Sequence, residues 1–499
     1  MKIFIPLIVM AACLLLQPAT RPGVHAFPLG EHLEQFQLPN GLTVLLLERR
    51  ISPTISFTMS FRTGAVDEDT GATGVAHMLE HMLFKGTRTI GTRDYKAEKK
   101  LLERIDAVAI QLDDERRKGS AGDAARIEAL ARDLTGLQEQ ANALIVENEF
   151  DTIYTRNGAE GMNARTGYDM TTYTVSLPAN RLELWLRLES ERFAEPVFRQ
   201  YYAERDVVIE EMRQSYETQP DRLLATQLLT TAFQAHPYGR PAIGWEADIK
   251  FLPRAACEDF FKRRYCLANA VVAVVGAVDI QEASRLFDRY FTSISAGSVE
   301  KPFITQEPPQ RGERRTELHF EAEPQLMIGF HKPSCPDRAD YAFELLGAIL
   351  SSGRTSRLYQ SLVMDRPMAA SVDAFNGFPG SRYPNLFVIK AAPLKGVACS
   401  DVEKGIYAEI DKLARMPLPA EELAKAKKQF RADFVRNLDS NRMLSRMLAY
   451  YQVLCGDWRY LEKNLKIIES ISAQEIQSAI QKYLVSSNRT VAVLVKEKK

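Results

Sequence analysis

Cysteine is scarce in this chain. There are six among 499 residues, none in a CxxC spacing. Cys13 falls in the leading apolar stretch, which leaves Cys257, Cys266, Cys335, Cys399 and Cys455. An odd number at loose intervals excludes a disulfide-stapled framework and a thiolate zinc site. Cys257 and Cys266 flank one helical stretch, but nine residues along a helix is too far to pair, so buried thiols are expected there. Net charge is also lacking, with 64 Lys and Arg against 64 Asp and Glu. Without a basic excess there is no reason to expect nucleic acid or an anionic membrane surface as partner. Long apolar runs are missing as well. No segment reaches the roughly 18 residues that would span a bilayer.

The apolar run that does exist is N-terminal. Lys2 precedes Ile3–Leu16, followed by Pro18, Pro22 and the small-residue end Val24-His25-Ala26. This pattern is that of a secretory signal peptide over residues 1–26, cut after Ala26, and it implies an exported, periplasmic chain. Lipoprotein anchoring through Cys13 is the alternative, but Met10-Ala11-Ala12 fits a lipobox poorly. The mature chain carries 62 basic and 64 acidic residues. At 45% hydrophobic and 26% charged, it has an ordinary globular composition and room for two or more domains.

Pro39-Asn40-Gly41 marks a turn before a β-rich run, and 54–64 alternates as a second strand. Residues 74–85 read as a helix, with Thr73 placed to cap it and Lys85-Gly86 to close it. Between 94 and 149, Ile105, Val108 and Leu112 on one side and Ile127, Leu130, Leu134, Leu137, Ala141 and Leu144 on the other keep a 3–4 spacing. Gly119-Ser120-Ala121-Gly122 separates them, so an antiparallel helical hairpin is predicted, each arm about 35 Å long at ~1.5 Å per residue. Residues 161–178 return to strand, helices follow at 181–193 and 200–216, and 269–279 is a buried strand. Pro, Gly and charge concentrate in 295–315, the linker candidate. Strands at 325–333 and 385–392, a helix at 340–353 and helices across 400–482 complete the chain. YCLANAVVAVVGAVD (265–279) and YLVSSNRTVAVLVKE (483–497) share a Tyr, a short gap, an Asn and a Val-Ala-Val strand. The predicted fold is α+β in two related halves, each a mainly antiparallel sheet packed with helices. The first covers 27–294 with the hairpin 94–149 inserted, and the second covers 316–499.

The chemistry concentrates in GVAHMLEHMLFKGT (74–87). His77 and His81 stand four apart, on one helical face, with ring tips able to converge on one ion. Glu80 lies beside that face, able to hold a water without ligating. The order inverts HExxH, a known zinc arrangement. Two ligands are not enough, because a catalytic zinc takes three and keeps a position for water. The stretch 201–217 offers Glu204, Glu210 and Glu211, and Glu204 and Glu211 are two turns apart on one face. An exposed acidic face with Arg205 and Arg213 as partners reads equally well from this stretch alone.

Taken with GMNARTGYDMTTYTVSLP (161–178), LESERF (188–193), ERDVVIEEM (204–212) and HPYGRPAIG (236–244), the chain resembles the pitrilysin/insulinase family of inverzincin zinc peptidases, which includes the mitochondrial processing peptidase. The resemblance implies one zinc per chain, with His77, His81 and Glu211 as ligands and Glu80 as general base. It implies that Glu204 supports the site from behind and that Asn163 and Ala164 lie on the edge strand that receives the peptide. The 130 residues from His81 to Glu211 exceed the family's usual gap, and the hairpin accounts for the surplus. The family also uses an Arg and a Tyr from its other half. Arg382-Tyr383, the GRTSRLY stretch (353–359) or a partner subunit could supply them.

The expected activity is zinc-dependent endopeptidase cleavage of peptides or unfolded segments inside a closed chamber. Such a chamber takes four halves, so the chain is expected to pair with itself or with a related zinc-free chain. The alternative is a non-catalytic or weakly catalytic subunit or scaffold of a larger complex.

Overall fold

Eleven strands, in two sheets, organise the described residues of the computed structural model, 32–297 and 303–497. The expected signal segment and its cleavage point lie outside them. The first sheet holds β1 (Leu33–Gln37), β2 (Thr43–Glu48), β3 (Thr54–Phe61), β4 (Glu160–Thr166), β5 (Thr171–Pro178) and β6 (Ala270–Gly276), in the order β1-β2-β6-β3-β5-β4. The second holds β7 (Arg314–Phe320), β8 (Gln325–Lys332), β9 (Ala369–Phe378), β10 (Asn385–Pro393) and β11 (Arg489–Lys496), in the order β7-β11-β8-β10-β9. With β1 set aside, the two orders are the same. Each sheet has one parallel pair, β2–β6 and β7–β11, and is otherwise antiparallel. The two Val-Ala-Val segments are β6 and β11, which hold equivalent places.

β6 is buried along its whole length and β2 through its centre, so their valines and leucines need cover on both faces. One face packs on helices of the first half. The other receives a helix from the second half, Asn441–Cys455, whose Leu444, Leu448, Ala449 and Val453 meet Leu45, Leu47, Val271, Ala273 and Val275. The exchange is reciprocal. The first half's Pro220–Ala232 helix lays Leu224, Leu228 and Leu229 on Met327, Leu386, Val388, Ala492 and Leu494 of the second sheet. At about 1.5–3 kcal/mol for each buried large aliphatic side chain, these faces bind the halves together. Polar contacts fix the register. Thr58 Oγ1 lies 2.8 Å from Ser445 Oγ, and Arg382 Nη1 donates to both oxygens of buried Asp67 at 3.0 and 2.9 Å. Asp169 accepts from the Ser381 and Arg382 amides and from the Tyr238 hydroxyl.

Helices Tyr95–Arg117 and Ala124–Asn142 pack as an antiparallel pair about 35 and 28 Å long. Two buried ion pairs tie the first arm to the body, Glu98 with Arg199 and Asp113 with Arg205.

Several local expectations need correction. The helix expected over 74–85 is regular only over Val75–Met82, and Thr73 does not cap it. The Thr73 hydroxyl instead donates to Asp248 and accepts from the Trp245 amide. The stretch 161–178 is a hairpin, with a turn between β4 and β5. Cys257 and Cys266 are both buried, but Cys266 lies beyond the end of its helix. β1, β7 and β9 had no sequence signal strong enough to read, because each is an edge strand or sheet margin with mixed polarity. No helix among the described residues is long and apolar enough to cross a membrane.

Candidate functional site

The Val75–Met82 helix buries Val75, Met78, Leu79 and Met82 against the first sheet, which turns the other face outward with its histidines. Gly74 starts the helix at a φ of +88°, and a Cβ there would sit 2.5 Å from the Ile243 carbonyl oxygen. Glycine is therefore required where the HPYGRPAIG loop closes over the helix end. Buried Glu68 caps that end, its carboxylate accepting from the Gly74 and Ala76 amides at 2.9 Å each. Sequence reading missed Glu68, whose only signal was an acid in the loop before the helix.

The Tyr201–Met212 helix crosses opposite. Glu211 Oε2 lies 3.4 Å from His81 Nε2, and Glu211 Oε1 lies 3.8 Å from His77 Nε2. The donor atoms of His77, His81 and Glu211 all fall within 4.8 Å of one another. The imidazole rings meet edge to face at 4.7 Å. Glu210, the adjacent acid, is exposed and bonds Gln214. Arg205 and Arg213, the alternative partners for an acidic helix face, are paired with Asp113 and Glu246. Glu204 sits behind His81. Its Oε1 is 3.0 Å from His81 Nδ1 and its Oε2 is 2.5 Å from Lys85 Nζ.

These contacts set the charge of the site. Burial alone would lower the His81 pKa, but its bonds to Glu204 and Glu211 outweigh that and hold it at about 9. Burial, with His81 alongside, holds His77 at about 4. Glu204 is kept down at about 2, because its bonds to His81 and Lys85 overcome its burial. A single positive charge is thus held among two rings and two carboxylates. A divalent cation fits the same place: two imidazole nitrogens and a carboxylate oxygen are a zinc donor set, and Glu204 fixes the ring that presents Nε2. His77 Nδ1 is buried with no hydrogen-bond partner, so only one of the two rings is oriented in this way.

Glu80 points along the same face toward the sheet edge. Its Oε2 accepts from Thr166 Oγ1 at 2.6 Å, and burial pushes its pKa up against that bond. Thr166 ends β4, the outermost strand of the first sheet. Asn163 and Ala164 lie on the same strand, paired with Thr174 and Tyr173 of β5, and β4's far side faces no strand among the described residues. Arg382 and Arg357, from the two stretches considered for the other half's contribution, are engaged elsewhere, by Asp67 and Glu422.

A twice-repeated α+β unit, with HxxEH on the first unit's helix and a carboxylate facing both histidines, defines a peptidase-like fold of the inverted-zincin kind. The sequence profile described as "Insulinase (Peptidase family M16)" matches residues 43–109 and 145–245, and "Peptidase M16 inactive domain" matches 252–430. The chain belongs to this insulinase family of peptidases. The gap in the first match spans the end of the Tyr95–Arg117 helix and the whole of the Ala124–Asn142 helix. The chain is 26% identical over 429 residues to "Zinc protease PqqE" of Helicobacter pylori, covering 84% of this chain and 83% of that protein. It is 22% identical over 474 residues to the "Probable mitochondrial-processing peptidase subunit beta" of Arabidopsis thaliana, covering 92% and 77%. Among solved structures, a protease from Helicobacter pylori superposes with a TM-score of 0.77 at 24% identity, covering 93% of this chain and 99% of that one. The first half of the periplasmic protease PqqL from Escherichia coli superposes at 0.68 with 18% identity, covering 93% and 92%.

Proposed function

We propose that this chain is an exported zinc endopeptidase that cleaves peptides or unfolded polypeptide segments. The observation that carries the reading is the meeting of His77 Nε2, His81 Nε2 and the Glu211 carboxylate beside Glu80, where the open edge of β4 ends. In this reading His77, His81 and Glu211 hold one zinc per chain. The metal, when bound, supplies Lewis acidity to the reacting carbonyl and the attacking water. Glu80 takes a proton from that water and returns it to the leaving amine nitrogen. Burial raises its pKa above the ordinary carboxylate value, the direction that makes a carboxylate a better proton acceptor. Glu204 holds His81 in the tautomer that offers Nε2, and Lys85 holds Glu204. A substrate strand pairs with the edge of β4 at Asn163 and Ala164, a mode that reads backbone and so favours extended chains.

Two units make half of a closed chamber, so the chain pairs with a second copy or with a related zinc-free chain. The division at 27–294 and 316–499, the linker between and the hairpin 94–149 as an insertion belong to the same reading. A non-catalytic subunit or scaffold is the second reading, favoured by the match of residues 252–430 to an inactive domain. Glu80 distinguishes the two, since a structural zinc has no use for it. Glu80→Gln is expected to keep its zinc and lose cleavage of a quenched fluorescent unstructured peptide. Cleavage retained in the purified variant refutes the role of Glu80. No cleavage by the zinc-loaded wild type, alone or co-purified with its partner, favours the scaffold.

A further inference from the structure

Two cysteines outside the site described above stand at an open cavity in the second half. Cys335 follows β8, and Cys455 is the last residue of the Asn441–Cys455 helix. They are 120 residues apart, and their Sγ atoms are 3.6 Å apart. Both are half-buried and line a cavity of about 440 Å³ with Tyr341, Tyr450 and Tyr451. We propose that Cys335 and Cys455 form a reversible disulfide that tethers the Asn441–Cys455 helix to the end of β8. Closing the bond needs an approach of roughly 1.5 Å, from 3.6 Å to the ~2.05 Å of an S–S bond.

The chemistry of the pair is uneven in the useful direction. The hydrogen bond between the two thiols pulls the Cys335 pKa down to about 7, and its contact with the Tyr341 hydroxyl at 3.4 Å adds to this. Cys335 therefore carries thiolate near neutral pH and attacks first. The oxidant is a disulfide of small thiols or of a dithiol protein, R–S–S–R. The Cys335 thiolate attacks one sulfur and expels RS⁻. The Cys455 thiolate then attacks Cys335 Sγ and expels the second RS⁻, and the two RS⁻ take up the two protons lost. The balance is two thiols plus R–S–S–R giving one protein disulfide and two RSH.

The tether matters because this helix lies on the first sheet, with Phe434, Trp458 and Leu461 of the second half in the same apolar cluster. Its other end reaches the edge strand, where Arg442 packs against Gly161 of β4.

The test oxidises the purified full chain with oxidised glutathione and counts thiols after denaturation. The expected result is a loss of two thiols per chain, a Cys335–Cys455 cross-linked peptide by mass mapping, and full reversal by dithiothreitol. The thermal midpoint should rise on oxidation in the wild type but not in Cys335→Ser or Cys455→Ser. Cross-links between other cysteines, an unchanged thiol count, or Cys335 trapped with glutathione while Cys455 stays free overturns the pairing. A cross-link with an unchanged midpoint overturns the tether.

Discussion

Removing the Glu204 carboxylate tests how the site is held. One oxygen is 3.0 Å from His81 Nδ1 and the other 2.5 Å from Lys85, with only 15% of the side chain exposed. Glu204→Ala leaves the imidazole N–H without an acceptor and a mostly buried ammonium without its counter-charge. Losing an outer partner of a metal-binding histidine costs about 10–100-fold in metal affinity. That range is about 1.4–2.7 kcal/mol, which agrees with the ~1.5–3 kcal/mol of a hydrogen bond to a charged group. Zinc binding by Glu204→Ala should therefore weaken by about 10–100-fold. Glu204→Gln should weaken it less, because the amide oxygen still accepts from Nδ1–H. Glu211→Ala should weaken it more, because a donor atom is gone. Competition against a chromophoric zinc chelator at fixed pH measures all three, with circular dichroism to verify the fold. If Glu204→Ala binds zinc as tightly as the wild type, the positioning argument fails. If it binds as poorly as Glu211→Ala, Glu204 is a ligand and the assignment must be redrawn.

Thr166→Val removes the 2.6 Å bond to Glu80, so cleavage should fall while zinc content, by elemental analysis, stays at the wild-type level. Asp67→Asn breaks a buried pair with Arg382 and should destabilise the chain by about 3–5 kcal/mol in urea unfolding, with Arg382→Met partly rescuing it in the double variant. His236 is buried and held at about 4 by burial, so the fold favours its neutral form. Its contribution to stability is intact above its unfolded pKa near 6.5 and is lost as the pH falls from there toward 4. His236→Phe should flatten that part of the curve of urea midpoint against pH.

The 3–4 and 2-residue periods were legible where an element has one apolar face toward its own half. That is why the His77 helix, the two hairpin arms and the alternating β3 could be read, while β6 and β11, covered on both faces, read as short Val-rich apolar runs. The marginal strands β1, β7 and β9 could not; β7, for one, alternates half-buried with exposed residues and resembles a charged loop. The end of the His77 helix was misread for a related reason. Thr73 is a good cap by residue type, but its hydroxyl is taken by Asp248, 175 residues away, and Glu68 does the capping from outside the helix. At the site, the spacing placed two histidines on one face and left three acids open as their companion.

Local spacing by itself determined the HxxEH face, the repeat of Val-Ala-Val strands and the α+β pattern of each half, because these depend on residues within a turn or a strand of one another. Tertiary structure alone decided the rest. It turned Glu211 toward both rings and Glu210 to solvent, and it put Glu204 behind His81 with Lys85. It brought the end of β4 to Glu80, and it laid the Asn441–Cys455 and Pro220–Ala232 helices on the other half's sheet. Each of these depends on the angle between elements distant in sequence, set by the packing of faces such as Leu448 on Val275, which no single stretch of chain encodes.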